Sequence, residues 1–219
     1  MKQLFQFISL LFLALTLAAC GGKTVKGSGK VSTQERKVAH FDRIKAEGAL
    51  DLLVTANASQ EVSVIADDNL QQYIMTKVKG KTLEILTKKG YILDPVNPVH
   101  VRVHVGKLLS VATAGEMRVG ISDIEGRTFN VTSAGSSAIM LTGKVEKASI
   151  GIAGASQVDA QHLLAEEVGL DVAGTAKVSV YASKKLNVKI SGEGEVSYYG
   201  NPPIVNQAVF GNGKIQRAQ

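Results

Sequence analysis

Along the second half of the chain, apolar and polar residues alternate in a pattern that recurs about every nineteen residues. The markers are Gly115, Gly135, Gly154, Gly174, Gly192 and Gly211, spaced by 20, 19, 20, 18 and 19 positions. Aligned on them, the position two before reads Thr113, Ser133, Ile152, Val172, Ile190 and Val209. Four before stand Val111, Val131, Ile150, Leu170, Val188 and Gln207; six before stand Leu109, Phe129, Ala148, Val168, Leu186 and Val205. Four after the glycine come Val119, Ile139, Val158, Val178, Val196 and Ile215, all β-branched. Six after it come Ile121, Leu141, Ala160, Val180, Tyr198 and Arg217. Spacing by twos places these columns on one face of a strand, with Asn130, Gln157, Lys177 and Glu195 among the residues left to solvent.

Each unit therefore predicts two short strands meeting at a glycine corner. A small residue precedes the glycine (Ala114, Ala134, Ala153, Ala173, Ser191) and suits the crowded inside of the bend. A variable third side holds Ile124, Val145 and Leu163 with Leu164, and ends at Tyr198-Tyr199 and Pro202-Pro203. A period of 18–20 residues fits one coil of a right-handed parallel β-helix, an all-β solenoid. An all-α repeat needs longer units and a 3.6-residue period, and an antiparallel sandwich would not keep its strands in register over six segments.

Upstream the pattern loosens. Phe41-Asp42-Arg43-Ile44-Lys45-Ala46-Glu47-Gly48-Ala49-Leu50-Asp51-Leu52 repeats the arrangement around Gly48. Alternating strands follow at Glu61–Ala66, Ile74–Val78, Leu83–Leu86 and Val99–Val105, with Lys79-Gly80-Lys81 as a hairpin turn. Residues 41–106 read as irregular first coils that cap the solenoid, and 107–219 as its regular part. Together, 41–219 form one domain.

These features resemble a known family. The FDRIKAEGALDLLV stretch, the turn at Gly80 and the Ala/Ser-Gly units up to Gly211 are similar to the putative auto-transporter adhesin, head GIN domain family, over roughly Phe41 to Ile215. The resemblance implies export, frequent lipid anchoring and a right-handed parallel β-helix. It brings no catalytic residues.

The N-terminus changes the picture of location. Lys2 precedes an apolar run from Leu4 to Leu17, then Ala18 and Ala19 lead into Cys20, the chain's one cysteine. Residues 1–19 read as a signal peptide, because the run is shorter than the ~20 residues a membrane span needs. Leu17-Ala18-Ala19-Cys20 resembles the lipobox of bacterial lipoproteins, which predicts lipidation of Cys20 (diacylglycerol on the sulfur, a fatty acyl chain such as palmitate on the amine). The plainer reading is a free thiol beside an ordinary cleavage site. Two or more acyl chains anchor stably where one does not. With no second cysteine there is no disulfide, so stability rests on a packed core.

Net charge is +6, or +5 once Lys2 is removed. The excess lies partly in 20–40, where Lys23, Lys26, Lys30, Arg36 and Lys37 stand among Gly and Ser. This segment reads as a flexible basic tether, with contact to anionic head groups as the functional alternative. No basic–aromatic interleaving follows it, which argues against nucleic acid. Gly21 and Gly22 follow the cysteine with no aspartate, so an enterobacterial-type host would sort the protein to the outer membrane, on its periplasmic leaflet sooner than the surface.

Chemistry is sparse. A polysaccharide-acting β-helix enzyme needs acidic groups on neighbouring coils. Glu116 and Glu193 are four coils apart, roughly 19 Å, and Glu193 and Glu195 are ~7 Å apart beside Lys177 and Lys214, as a salt-bridged solvent face would be. His100, Arg102 and His104 share a strand face, but the histidines are ~13 Å apart, too far for one metal. No catalytic, cofactor or metal site emerges. Binding is the better reading: a surface at His100, Arg102 and His104, with Tyr199 as an exposed ring, and Tyr91 and Tyr198 as lesser aromatic candidates. The partner would be an envelope protein ahead of a glycan, with a passive structural component as the remaining class; oligomeric state stays open.

Overall fold

The computed structural model describes residues 22–218; the signal peptide and Cys20 lie outside the described residues. Strand makes up 78% of the described residues and helix 3%, so the class is all-β. The strands are β1 (Lys23–Lys26), β2 (Val31–Glu35), β3 (Arg43–Ala56), β4 (Glu61–Asp67), β5 (Ile74–Lys79), β6 (Thr82–Thr87), β7 (Tyr91–Asp94), β8 (His100–Val105), β9 (Ser110–Tyr199), β10 (Ile204–Gly211) and β11 (Lys214–Arg217). One short 3-10 turn spans Asp68–Tyr73.

The glycine corners organise the stack. β3 runs parallel to the start of β9, from Arg43 opposite Ser110 to Thr55 opposite Ser122, with Gly48 opposite Gly115. Gly135 then lies over Gly115, Gly154 over Gly135, Gly174 over Gly154, Gly192 over Gly174 and Gly211 over Gly192. All seven have φ between +115° and +128°, and a Cβ on any of the upper six would strike the carbonyl oxygen of the glycine beneath it. Only glycine tolerates both conditions. β10 continues the parallel pairing on residues 185–192 and β11 on residues 195–198.

Between the corners of the inner rungs the apolar columns are buried as their spacing predicts. The last rung leaves Gln207, Val209 and Arg217 exposed, and at the first rung of β9 Leu108 is buried where the column had placed Leu109. Phe129, Ile121, Ile124, Leu141, Leu163 and Leu170 are among the fully buried side chains, whereas Leu164 points to solvent. The inside of the corner differs from the sequence reading. Ala134, Ala153 and Ala173 are exposed, because strand alternation carries straight through the glycine and turns its neighbours outward. The crowded interior is filled instead by residues two before and two after the glycine: Thr113 with Met117, Ser133 with Ser137, Ile152 with Ser156, Val172 with Ala176, Ile190 with Gly194. These pairs are size-matched. A Cβ on Gly194 would stand 3.1 Å from Ile190 Cγ2, while the smaller Ser133 donates a 3.0 Å hydrogen bond to Ser137 Oγ.

The N-terminal part is mixed. β5 and β6 form the expected antiparallel hairpin, turning at Gly80 with φ +62°. β6 and β8 pair parallel with β3, while β4 pairs antiparallel with β8 and β2. The sheet is open, ending at β2 on one side and β10 on the other.

Residues 23–35, read as part of a flexible tether, are instead held in place. β1 pairs parallel with β7, and β2 antiparallel with β4. The fully buried Asp67 explains the difference: its carboxylate accepts from Asn97 Nδ2 at 2.6 Å and from the backbone N–H of Val96 at 2.8 Å and Asn97 at 3.3 Å. Asn97 Nδ2 also donates to Gly29 O at 3.1 Å. Further along, Arg36 donates to Gln71 O and Oε1, both at 2.9 Å. Composition signals a Gly/Ser/Lys linker, but these long-range polar contacts outweigh it.

Candidate interaction surface

β8 lies between β3 and β4, and its alternation sorts its residues cleanly. Val101, Val103 and Val105 enter the core, leaving His100, Arg102 and His104 on the outer face. Register supplies their neighbours. Asp51 of β3 stands opposite both His100 of β8 and Arg118 of β9. Arg118 grips it with two bonds, Nε to Oδ1 at 2.8 Å and Nη2 to Oδ2 at 2.9 Å. This is the fork geometry that suits a carboxylate, and it raises the Arg118 pKa, through the hydrogen bond first and the charge second. His100 Nδ1 approaches Asp51 Oδ2 at 3.2 Å, and His104 Nδ1 is 3.9 Å from Glu61 Oε2.

Arg102, between Leu53 and Ser63, is exposed. Leu53 is 48% exposed and would contact a Cβ on Gly120 through Cδ2 at 3.2 Å. The outer face thus offers an apolar spot beside an arginine, with a carboxylate-bound arginine and two histidines around it. Next to it opens a shallow groove of about 600 Å³, lined by Ala49, Asp51, Pro95, Pro98, Arg118 and Ser136. A second trough, about 410 Å³, runs along Ala134, Ala153, Ala173 and Ser191 on the other side of the glycine ridge.

The structure keeps Tyr199 away from the other three. It lies at the end of β9, one rung before the C-terminal edge, whereas His104 flanks the first rung; at one strand spacing per rung they are roughly 25–30 Å apart. Tyr199 is half-buried, and Tyr198 packs against the core as its column predicts. Tyr91 is occupied by Tyr73, centroid to centroid 4.6 Å, with Lys88 Nζ 5.6 Å from its ring. Glu195 faces Lys177 at 3.7 Å and receives Gln216 Nε2 at 3.4 Å, an ion pair on a solvent face. Among the described residues no three His, Cys, Asp or Glu side chains converge to hold a metal ion, and no helix is long and apolar enough to cross a membrane.

Sequence reasoning missed Asp51, Arg118 and Glu61 as neighbours of the histidines. A signal for the first pair existed. Aligning Gly48 with the later glycines puts Asp51 and Arg118 both three residues after a corner, hence side by side.

Stacked parallel strands around one continuous apolar core, in a sheet that stays open, define a scaffold of the all-β class. The family pattern for "putative auto-transporter adhesin, head GIN domain" matches residues 40–202, and the chain belongs to that family. Its structure is similar to that of a putative adhesin from Bacteroides fragilis, at 20% identity and TM-score 0.73, covering 89% of this chain and 100% of the other. It is also similar to a putative lipid binding protein from Parabacteroides distasonis (24% identity, TM-score 0.58, 90% and 100% coverage). A putative adhesin from Parabacteroides merdae matches at 18% identity and TM-score 0.52, with 90% and 100% coverage. At these identities the likeness concerns the fold. No curated protein matches the chain.

Proposed function

We propose that this protein is a non-catalytic binding module of the cell envelope, anchored through a lipidated Cys20 and presenting the β3–β8–β4 face to an envelope protein. The observation that carries this reading is Arg102, an exposed cation beside the exposed Leu53 and between His100 and His104. An extended acidic segment with an apolar side chain suits such a face, and stacked strands offer a long, flat surface for it. The stack itself is read as a right-handed parallel β-helix, supported by the parallel register of β3, β10 and β11 with β9 and by the superposed corner glycines. The family's adhesin name fits a binding role, and Gly21 and Gly22 after the cysteine, with no aspartate, favour the outer membrane of an enterobacterial-type host, on its periplasmic leaflet.

Two measurements test this. Crosslinking in cells should capture one specific envelope protein with the native chain and lose it with Arg102→Glu; recovering only the bait, or the same capture with the variant, rejects the reading. Fractionation should find the protein in the outer membrane and Cys20→Ser released from it. Protease shaving of intact cells then separates leaflets: protection fits the periplasmic partner, and cleavage moves the binding role to the surface.

A further inference from the structure

The two ends of the stack are built differently. At one end the first rung, β3, is covered by β6 and β8, and the sheet continues to β4 and β2. At the other end β10 and β11 pair only with the rung of β9 beneath them. One edge of each, with its alternate N–H and C=O groups, has no strand partner among the described residues. The apolar columns also end uncovered: Val209 is 40% exposed, where Ile190 directly below it is fully buried. Ile204 and Phe210 are 50% and 63% exposed on the same strand.

Open edges in soluble proteins are ordinarily guarded by lysines, prolines or bulges, because an unpaired strand is a template for another. β10 (Ile204-Val205-Asn206-Gln207-Ala208-Val209-Phe210-Gly211) has no charge and no proline over eight residues, in a chain where 20% of residues are charged. Asn206 Nδ2 donates to Asn187 Oδ1 at 2.8 Å, and the amide ladder stops there with its remaining donor and acceptor at the edge.

We propose that β10 is a dimer interface, pairing antiparallel with β10 of a second copy about a twofold axis. A copy of itself suits this edge for three reasons. An uncharged strand meets its own image without like-charge opposition. The sheet's opposite edge is β2, a strand of five residues that carries Glu35 and does not match the eight uncharged residues of β10. Head-to-tail growth therefore finds no matching edge, while a twofold contact is isologous and closes. Lys214 and Arg217 put like charges on β11, which confines the pairing to β10.

The test is light scattering on the full-length protein over a range of concentrations, with Cys20→Ser in parallel to separate a strand-mediated dimer from one caused by lipid or thiol. Native and Cys20→Ser chains should both show a concentration-dependent dimer, and amides of residues 204–211 should gain hydrogen-exchange protection as it forms. Phe210→Lys places a charge on an exposed, outward side chain and should weaken dimerisation roughly tenfold or more; Asn206→Lys should do the same. A monomer at every concentration, open-ended oligomers, a dimer that both variants leave intact, or an edge that binds only another protein would overturn the proposal.

Discussion

Gly135 sits directly over Gly115, its Cα hydrogen aimed at the carbonyl group of the residue beneath, and the same contact recurs up the whole ridge. The relationship couples two requirements that are usually separate. The backbone must take a positive φ to turn the corner, and it must leave no side chain between rungs.

Gly154→Ala tests both at once. With φ +123° and no room above Gly135, the added methyl forces the rungs apart or the corner to open. The expected destabilisation is roughly 2–5 kcal/mol, from backbone strain plus overpacking. Urea unfolding should show it as a lowered midpoint. Ala153→Ser, one residue away but exposed, should leave the midpoint unchanged.

Inside the corner, two serines should respond in opposite ways. Ser137→Ala removes the acceptor of the Ser133 hydroxyl and strands that group in the interior, at a cost of about 1–3 kcal/mol. Ser156 is buried with no hydrogen-bond partner, so Ser156→Ala should stabilise by roughly 1 kcal/mol. Paired unfolding curves decide the matter, and an equal response in both would contradict the assignment of the Ser133–Ser137 bond.

These corners also show what the sequence could carry. The glycine column and the apolar columns four and six residues away were legible because the first repeats glycine and the others repeat apolar character in nearly every unit, and burial follows strand alternation. The column two after the glycine was not, since it reads Met117, Ser137, Ser156, Ala176 and Gly194; its logic is volume matching to a partner across the bend, visible only once the corner is built. The outward strand bearing His100, Arg102 and His104 was readable from alternation alone. Its neighbours Asp51 and Glu61 come from a parallel and an antiparallel pairing, and register across such a mixed sheet is set by long-range contacts. The order in residues 23–35 was hidden for the same reason, because it depends on Asp67 and Asn97, over thirty residues away from the basic segment they hold.

The outer third side predicts a weak response. Arg127 faces Glu146 at 3.6 Å, Lys147 faces Glu167 at 3.1 Å and Lys184 faces Glu166 at 2.7 Å, each pair bridging neighbouring rungs. All are exposed, so ordering the side chains and screening by salt offset the attraction. Glu166→Gln, or added sodium chloride, should leave the unfolding midpoint within error. A large loss would mean that these pairs, not the corners, hold the rungs in register.

Asp67 gives the sharpest pH prediction. Its pKa is lowered, first by the Asn97 side-chain amide and then by the backbone N–H groups of Val96 and Asn97, with burial opposing them. A carboxylate with a depressed folded pKa contributes stability above its unfolded value, about 3.9, and that contribution is lost as pH falls through the lower folded value. The native protein should therefore lose stability below about pH 4, with hydrogen exchange rising first in residues 23–35. Asp67→Asn should be less stable at neutral pH, because an amide cannot accept all of these bonds, and its stability should depend less on pH in that acid range. If the acid limb of the variant matches that of the native protein, some other carboxylate governs acid unfolding and the clamp on the N-terminal strands lies elsewhere.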